Sequence, residues 1–210
     1  MPWNKEFECM PVEALQKFQL EKLTETVAWV AKKIPFYKKK FKELGIKPDD
    51  IKSLEDVAKL PVTIKEDLRD NYPFGLCAVP MKDVVRVHAS SGTTGKPITG
   101  PYTRDDLDQW TECMTRNFWA AGVRPEDVVQ NAYGHGLFTG GLGFHQASTN
   151  MGCATVPTSS GLTERQITLM KDFKTDILCC TPSYALTIAE RAEELKVDIK
   201  ALPVRAGIFG

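Results

Sequence analysis

The sequence predicts an α/β protein in which a helical opening segment is followed by βαβ units around a mainly parallel sheet. Residues 1–80 show helical periodicity and turn residues without a strong run of strands. Residues 81–210 alternate short apolar strands with helices of about three turns, which is typical of parallel strands covered by helices. With 210 residues and 42% apolar content, the chain can bury one sizeable core.

The helical opening segment is predicted from apolar spacing and from residues that stop helices. Residues 11–33 repeat apolar side chains at a period of roughly 3.6 residues, which predicts a long helix. Pro35 ends this helix, and a second one ends at Gly45, a residue suited to a left-handed cap. Ser53 and Asp56 form a capping pattern for another short helix.

The second part predicts a regular alternation of strands and helices. Residues 84–88 are strand-like and lead into a loop rich in glycine and hydroxyl groups, after which residues 98–102 predict the next strand. We therefore expect a helical segment at 1–80 packed on an α/β domain at 81–210. The remaining predicted elements are strands at 127–132, 154–157, 177–180 and 204–209, and helices at 103–121, 140–151, 163–173 and 182–195.

Charge and composition argue against several classes of partner. Basic and acidic residues number 27 each, so no global field attracts nucleic acid or an anionic membrane. The cluster Lys38-Lys39-Lys40 is interpreted as the solvated end of a helix. We find no apolar stretch that could span a bilayer and no signal peptide pattern at the N-terminus. Because the six cysteines lack a regular spacing, we expect reduced, structural thiols in the cytoplasm.

The strongest chemical signal is the stretch Ser90-Ser91-Gly92-Thr93-Thr94-Gly95-Lys96-Pro97. Its glycines permit positive φ angles, so successive backbone N–H groups can turn toward one phosphate. The hydroxyls add neutral donors, and Lys96 adds a mobile cation. The stretch is not a Walker A loop, since Ser90 and Pro97 stand where that pattern needs Gly and Ser or Thr. The alternative interpretation is a flexible surface loop.

A second glycine-rich stretch, residues 133–143, has the composition of a wall for a flat acid. Glycines let backbone approach such a ligand closely, and Tyr133 and Phe138 offer aromatic faces or edges. The alternative is that both aromatic residues belong to the core beside a turn. A lone His135 is more often structural than ligand-binding, although it can line the mouth of a pocket. The candidate wall consists of Tyr133, Gly134, His135, Phe138, Thr139, Gly140 and Gly141.

Two further features give weaker signals. Thr181-Pro182-Ser183 ends a predicted strand and opens a helix, where it forms either an anion site or a plain helix cap. His88 and His145 lack partners at metal-binding spacing, so no metal site is predicted.

Shorter stretches accompany the two glycine-rich ones: His88-Ala89, Tyr102-Thr103, Thr163-Glu164-Arg165-Gln166, Thr181-Pro182-Ser183-Tyr184 and residues 205–210. Together they resemble the phenylacetate–CoA ligase family of adenylate-forming enzymes over nearly the whole chain. The loop at 90–97 is similar to the phosphate-binding loop of the superfamily, and the other stretches narrow the resemblance to this branch. His135 departs from a tyrosine often found in the family, and residues 98–101 depart from a more usual hydrophobic continuation.

The resemblance implies the N-terminal part of the adenylate-forming fold, ending before the C-terminal domain. It implies that Tyr133 and Phe138 line an aryl pocket and that residues 90–96 bind the phosphates of ATP. The implied reaction converts an aryl acid and ATP to an acyl-adenylate and pyrophosphate, after which coenzyme A displaces AMP. Mg²⁺ is the implied metal cofactor, phenylacetate is the default acid, and phenylacetate catabolism is the implied role.

The resemblance also limits what this chain can do alone. The family places its adenylation lysine and its adenine-binding loop beyond the position of Gly210, so we assign no catalytic residue and expect negligible turnover. Family members often form homodimers. Two alternatives stay open: an adenylation enzyme that loads a carrier protein, and a non-catalytic nucleotide- or anion-binding fragment.

Overall fold

The computed structural model describes residues 1–92 and 95–210 and confirms the α/β class. The chain divides into two units, one formed by Lys5–Asp105 and the other by Met1–Asn4 together with Asp106–Gly210. The division into domains at residue 80 stays a prediction. No helix among the described residues is both long and apolar enough to cross a membrane.

The unit Lys5–Asp105 is built around two consecutive helices. After the short α1 (Lys5–Glu8), α2 (Val12–Lys33) ends at Ile34, and α3 (Pro35–Leu44) begins with proline in its first turn, where the missing N–H costs nothing. Gly45 ends α3 at a φ of 68°, which is the left-handed cap expected from the sequence. The buried core of this unit contains Val27, Phe41 and Ile51.

Two predictions in this unit need adjustment. The capping pattern is present, since the Ser53 N–H donates to Asp56 Oδ2 at 2.9 Å, but the segment it opens, Leu54–Lys59, is a 3₁₀ helix. The lysine cluster at 38–40 lies in the middle of α3, because no helix-breaking residue occurs before Gly45. Lys40 forms an ion pair at 2.8 Å with Asp67 of α4 (Lys65–Asp70).

An antiparallel hairpin completes this unit. β1 (Arg86–Ala89) pairs with β2 (Thr99–Tyr102), with Arg86 opposite Tyr102 and Ala89 opposite Thr99. The loop at 90–97 therefore connects two neighbouring strands and has both of its ends fixed.

A four-stranded parallel sheet organises the other unit, in the order β4-β3-β5-β6. Every predicted element after residue 103 is present, with its ends shifted by two residues at most. The strands are β3 (Val128–Asn131), β4 (Ala154–Val156), β5 (Ile177–Cys180) and β6 (Ala206–Phe209), and the helices are α5 (Arg104–Ala120), α6 (Gly140–Asn150), α7 (Thr163–Asp172) and α8 (Pro182–Glu194).

Both faces of this sheet are covered, which explains why β5 is a continuous apolar run. Ile177 and Cys179 belong to one buried cluster, whereas Leu178 and Cys180 belong to another. Alternate residues of a strand point to opposite faces, so the two clusters lie on opposite sides of the sheet. Each face therefore contributes its own part of the core.

Candidate functional site

Hydrogen bonds between Ser90 and Ile98 join the two ends of the loop at 90–97 and extend the hairpin of β1 and β2. The Ser90 N–H donates to the Ile98 carbonyl at 2.9 Å, and the Ile98 N–H donates to Ser90 Oγ at 2.9 Å. Ser90, predicted to bind phosphate, thus uses its N–H and one oxygen lone pair inside the protein. Its hydroxyl hydrogen is donated in none of the hydrogen bonds within residues 1–92 and 95–210, so this hydrogen can be donated to a ligand.

Two glycines shape the described part of this loop. Gly92 has a φ of 66° and Gly95 a φ of 138°, both in the region that favours glycine. A Cβ at Gly92 would also lie 3.1 Å from the Gly95 carbonyl oxygen and 3.3 Å from Pro97 Cδ. Both the backbone angle at position 92 and the lack of space for a Cβ there therefore favour glycine. Thr93 and Thr94, also predicted to bind phosphate, lie outside the described residues.

The other candidate phosphate-binding side chains of the loop face solvent. Ser91 and Lys96 are exposed. Within residues 1–92 and 95–210, Lys96 takes part in none of the ion pairs. Its ammonium group is consequently available to an anionic ligand without breaking an internal pair.

The candidate acid wall belongs to the unit with the parallel sheet. The carboxyl ends of parallel strands lie at one edge of a sheet, and ligands of α/β proteins bind outside that edge. Loops 132–139 and 157–162 follow β3 and β4 there, and α6, α7 and α8 all begin on that side. The wall residues 133–141 occupy the first of these loops and the first turn of α6.

Tyr133 is buried in the core of this unit. Its ring stacks on Phe144 with the centroids 4.4 Å apart, and its hydroxyl donates to the Cys180 carbonyl at 2.6 Å. The same oxygen accepts a hydrogen bond from the Gly210 N–H at 2.8 Å. Burial raises the pKa of Tyr133 above its ordinary value, so the phenol stays protonated. Its hydroxyl thereby keeps its hydrogen bonds to Cys180 at the end of β5 and to Gly210, which follows β6. A direct role for its ring in the acid pocket stays a prediction.

The glycines of α6 allow close packing inside the protein. A Cβ at Gly141 would lie 2.6 Å from the Gly134 carbonyl oxygen, and one at Gly143 would lie 2.8 Å from Trp110 Cζ2. The first glycine lets α6 begin against the loop after β3, and the second lets α6 approach the Trp110 ring. Protein packing therefore accounts for these two glycines, which the sequence had linked to close approach of a ligand.

Phe138 and His135 form the exposed part of the wall. Phe138 is 66% exposed and precedes Thr139 at the start of α6. The His135 ring lies against Gly141 and is 6.1 Å from the His145 ring. Partial burial and the neighbouring His145 lower the pKa of His135 below its ordinary value of 6.5. The imidazole is therefore mainly neutral at pH 7, which suits contact with an aromatic acid or a polar neighbour.

The chain matches no family model, but it matches curated proteins over nearly its whole length. It is 50% identical over 198 residues to the phenylacetate-coenzyme A ligase of Aromatoleum evansii, covering 94% of this chain and 45% of that protein. It is 46% identical over 210 residues to the enzyme of the same name from Thermus thermophilus, covering 100% of this chain and 47% of that protein. This chain is a homologue of the phenylacetate–CoA ligases. It spans somewhat less than half the length of these curated relatives.

Solved structures show that this phenylacetate–CoA ligase homologue has the fold of an acyl-CoA ligase segment. A 2-hydroxyisobutyryl-CoA ligase, solved with 2-HIB-AMP and CoA in the thioesterification state, superposes with a TM-score of 0.94 at 30% identity. That match covers 100% of this chain and 46% of the other. The open conformation of a 2-hydroxyisobutyryl-CoA ligase gives a TM-score of 0.89 at 30% identity, covering 95% and 48%.

Asn131 is a residue of this homologue that the motifs did not single out. It is fully buried at the end of β3, donates through Nδ2 to the Gly141 carbonyl at 2.7 Å and accepts from the Tyr133 N–H at 3.2 Å. Its own carbonyl accepts from the Ser159 N–H at 3.1 Å. The signal available in the sequence was a polar residue at the end of a predicted strand. Buried side-chain amides generally have hydrogen-bond partners, so such a residue is expected to bind nearby backbone groups.

Two further stretches that carry the resemblance, residues 181–184 and 205–210, contain side chains with structural roles. Arg205 forms an ion pair with the buried Asp127 at the edge opposite the wall. Burial raises the pKa of Asp127, but hydrogen bonds from Arg205 and from the Arg124 N–H outweigh it and hold this pKa below its ordinary value. Thr181 forms the helix cap left open by the sequence, since its Oγ1 accepts from the Tyr184 N–H at 3.3 Å.

Proposed function

We propose that this chain supplies the phosphate-binding loop and part of the acid site of an AMP-forming aryl-acid–CoA ligase. Identity of 46–50% over at least 94% of the chain to curated phenylacetate–CoA ligases carries this proposal. The anchored loop with Gly92, Gly95 and an exposed Lys96, which forms no ion pair with the part of the chain that the structure describes, supports it, because this arrangement suits a polyphosphate.

The proposed reaction has two steps. A carboxylate oxygen attacks the α-phosphorus of ATP, and the bond to pyrophosphate breaks to leave an acyl-adenylate. The thiol of coenzyme A then attacks the acyl carbon, loses its proton, and releases AMP. Because both reactants of the first step are anionic, preorganised donors and cations must offset their repulsion.

The loop is proposed to act on the pyrophosphate end of ATP by electrostatic positioning. The Gly95 N–H donates to the Gly92 carbonyl at 3.0 Å and so holds the turn of the loop, while the Lys96 ammonium would neutralise charge that develops on the leaving group. Mg²⁺ bound with ATP would supply further charge neutralisation. The described residues include no group of three or more His, Cys, Asp and Glu that could hold a metal, so a metal is proposed to arrive with the nucleotide.

The acid is proposed to contact the exposed part of the wall. Phe138 and His135 are accessible there, whereas Tyr133 supports the loop from the core. An aryl acid such as phenylacetate suits an aromatic side chain and a neutral imidazole. Coenzyme A is favoured over a carrier protein because the structurally similar 2-hydroxyisobutyryl-CoA ligase was solved with CoA. A role in phenylacetate catabolism and a homodimer follow from the resemblance, whereas a cytoplasmic location follows from the irregular cysteine spacing, and all three stay predictions.

Pyrophosphate release tests the proposal directly. We expect this chain, joined to the remaining half of its Thermus relative, to release pyrophosphate from ATP and Mg²⁺ when phenylacetate is added. Aliphatic acids should stimulate less, and the 210-residue chain alone should show negligible release. Lys96→Met should raise the ATP KM, whereas the exposed Lys82→Met serves as a matched control. Release that does not depend on any acid would contradict the proposed function.

A further inference from the structure

Three polar side chains that the proposed reaction does not use are buried beside the candidate acid wall. Gln130 of β3, Gln166 of α7 and Thr175, which precedes β5, are at most 2% exposed. Burying an amide or a hydroxyl is costly unless its hydrogen bonds are satisfied. Their hydrogen-bond partners therefore indicate what they stabilise.

The three side chains form one continuous network. Thr175 Oγ1 donates to Gln130 Oε1 at 3.0 Å, and Gln130 Nε2 donates to Gln166 Oε1 at 2.7 Å. Gln166 Nε2 then donates to the Ser159 carbonyl at 2.7 Å and to the Gly161 carbonyl at 3.1 Å. Both hydrogens of the Gln166 amide have acceptors, so this amide has one favoured orientation. We call these three residues the glutamine network.

The loop that receives these bonds has an unusual backbone. Ser159 has a φ of 61° and Leu162 a φ of 49°, although neither is glycine. Such angles are unfavourable for residues with a side chain and persist where surrounding contacts support them. The Tyr184 hydroxyl adds a further bond to the Gly161 carbonyl at 2.8 Å. The glutamine network thus helps hold loop 157–162 in a conformation that its residues would not favour alone.

Loop 157–162 lies directly against the candidate acid wall. The His135 N–H donates to Ser159 Oγ at 3.4 Å. A Cβ at Gly134 would lie 3.3 Å from Ser160 Oγ, so the two loops approach closely there. A displacement of loop 157–162 would consequently move the backbone that positions His135.

We propose that Gln166 is a positioning residue for the acid site. It acts through loop 157–162 on Gly134 and His135, and Thr175 fixes its orientation through Gln130. This inference rests on the proposed function, since it assigns the acid to that wall. It predicts that loosening the loop weakens acid binding, whereas ATP binding, assigned to residues 90–97 of the other unit, changes little.

Two substitutions break the glutamine network, each at different hydrogen bonds. Gln166→Met keeps a similar side-chain size but removes both donors to loop 157–162. Thr175→Val is nearly isosteric and removes the hydrogen that fixes Gln130, without touching the loop. The control is Met170→Ala, which opens a cavity at a buried site of the same helix, α7, in a core cluster that excludes loop 157–162. Thr175→Val keeps the test decisive if Gln166→Met folds poorly.

Two measurements separate positioning from general destabilisation. Amide hydrogen exchange of residues 159–162 in the 210-residue chain reports the loop without requiring activity. Steady-state kinetics of the joined protein give KM for phenylacetate, KM for ATP and kcat. We expect faster loop exchange in both network variants, and a phenylacetate KM raised roughly tenfold in Gln166→Met and less in Thr175→Val. Met170→Ala should alter neither.

The outcomes distinguish this inference from the proposed function. Unchanged loop exchange in both network variants would overturn the positioning role, whatever the enzyme does. Faster exchange with an unchanged phenylacetate KM, or an equal rise of the ATP KM, would overturn it as well. If the unsubstituted joined protein shows no acid-dependent pyrophosphate release, the proposed function fails, and the acid-site role of Gln166 fails with it. The pyrophosphate assay shows this without any measurement of hydrogen exchange.

Discussion

At the scale of single residues, Gly92 shows how a backbone angle and a close contact select the same residue. Its φ of 66° is matched by Gly45, whose φ is 68°, but no atom lies within 4 Å of a Cβ built at Gly45. At Gly92 the same Cβ would lie 3.1 Å from the Gly95 carbonyl oxygen. The pair therefore separates the cost of the angle from the cost of crowding.

Substitution by alanine at these two glycines should have unequal effects. Gly45→Ala should lower the free energy of unfolding by about 1–2 kcal/mol, the usual cost of a left-handed residue. Gly92→Ala should cost more, because the loop must also shift to relieve the contact, and it should weaken ATP binding. Urea unfolding and nucleotide titration would measure both effects. Equal losses of stability, with ATP binding unchanged, would show that crowding at Gly92 is unimportant.

His135 gives a prediction about pH. Its pKa lies below the ordinary 6.5 because of partial burial and the nearby His145, so the folded protein binds this proton less readily than the unfolded chain. The stabilisation linked to neutral His135 is present above about pH 6.5 and is lost as pH falls through the lowered pKa. NMR titration should show this pKa below 6.5. His145→Gln should move it upward, and a value at or above the ordinary one in the unsubstituted protein would contradict the assignment.

At the scale of secondary-structure elements, α6 shows that a glycine-rich motif can serve packing. Gly143→Ala would place a Cβ 2.8 Å from Trp110 Cζ2, so α6 or the indole ring must move. We expect a loss of about 1–3 kcal/mol in unfolding free energy, as for other overpacked sites. Gly140→Ala is the control, because its Cβ would make an ordinary contact at 3.4 Å with Tyr133, and alanine favours helix. A Gly143→Ala protein as stable as Gly140→Ala would refute this account of the motif.

The elements themselves were predictable because their signals are local. Proline in the first turn of α3, glycine at its end and the continuous apolar run of β5 act on their own segments. The glutamine network was not predictable, since Gln130 and Gln166 meet across 36 positions of sequence. The loop at 90–97 was found from composition, whereas the packing role of Gly141 and Gly143 depends on the tertiary neighbours of α6.

At the scale of the whole molecule, the cysteines can report how the unit with the parallel sheet unfolds. All six are free thiols. Cys9 and Cys113 are exposed, whereas Cys153, Cys179 and Cys180 are buried around the parallel sheet. Burial, with weaker contributions from nearby acids at Cys153, raises the pKa of Cys153 and of Cys180 to about 11, and burial also raises that of Cys179. Because the thiolate is the reactive form, these three should be inert in the folded protein.

Thiol labelling with a disulfide reagent should therefore occur in separable phases. Cys9 and Cys113 should react quickly in the native protein, and Cys77, which is half-buried and donates to the Val79 carbonyl at 3.2 Å, more slowly. The three thiols of the sheet unit should become reactive together as denaturant is added, because they share one folded core. A Cys9→Ser, Cys113→Ser double variant should lack the fast phase and keep the late one. Fast native labelling of any sheet thiol, or stepwise release of the three, would show that this unit does not unfold as a single cooperative body.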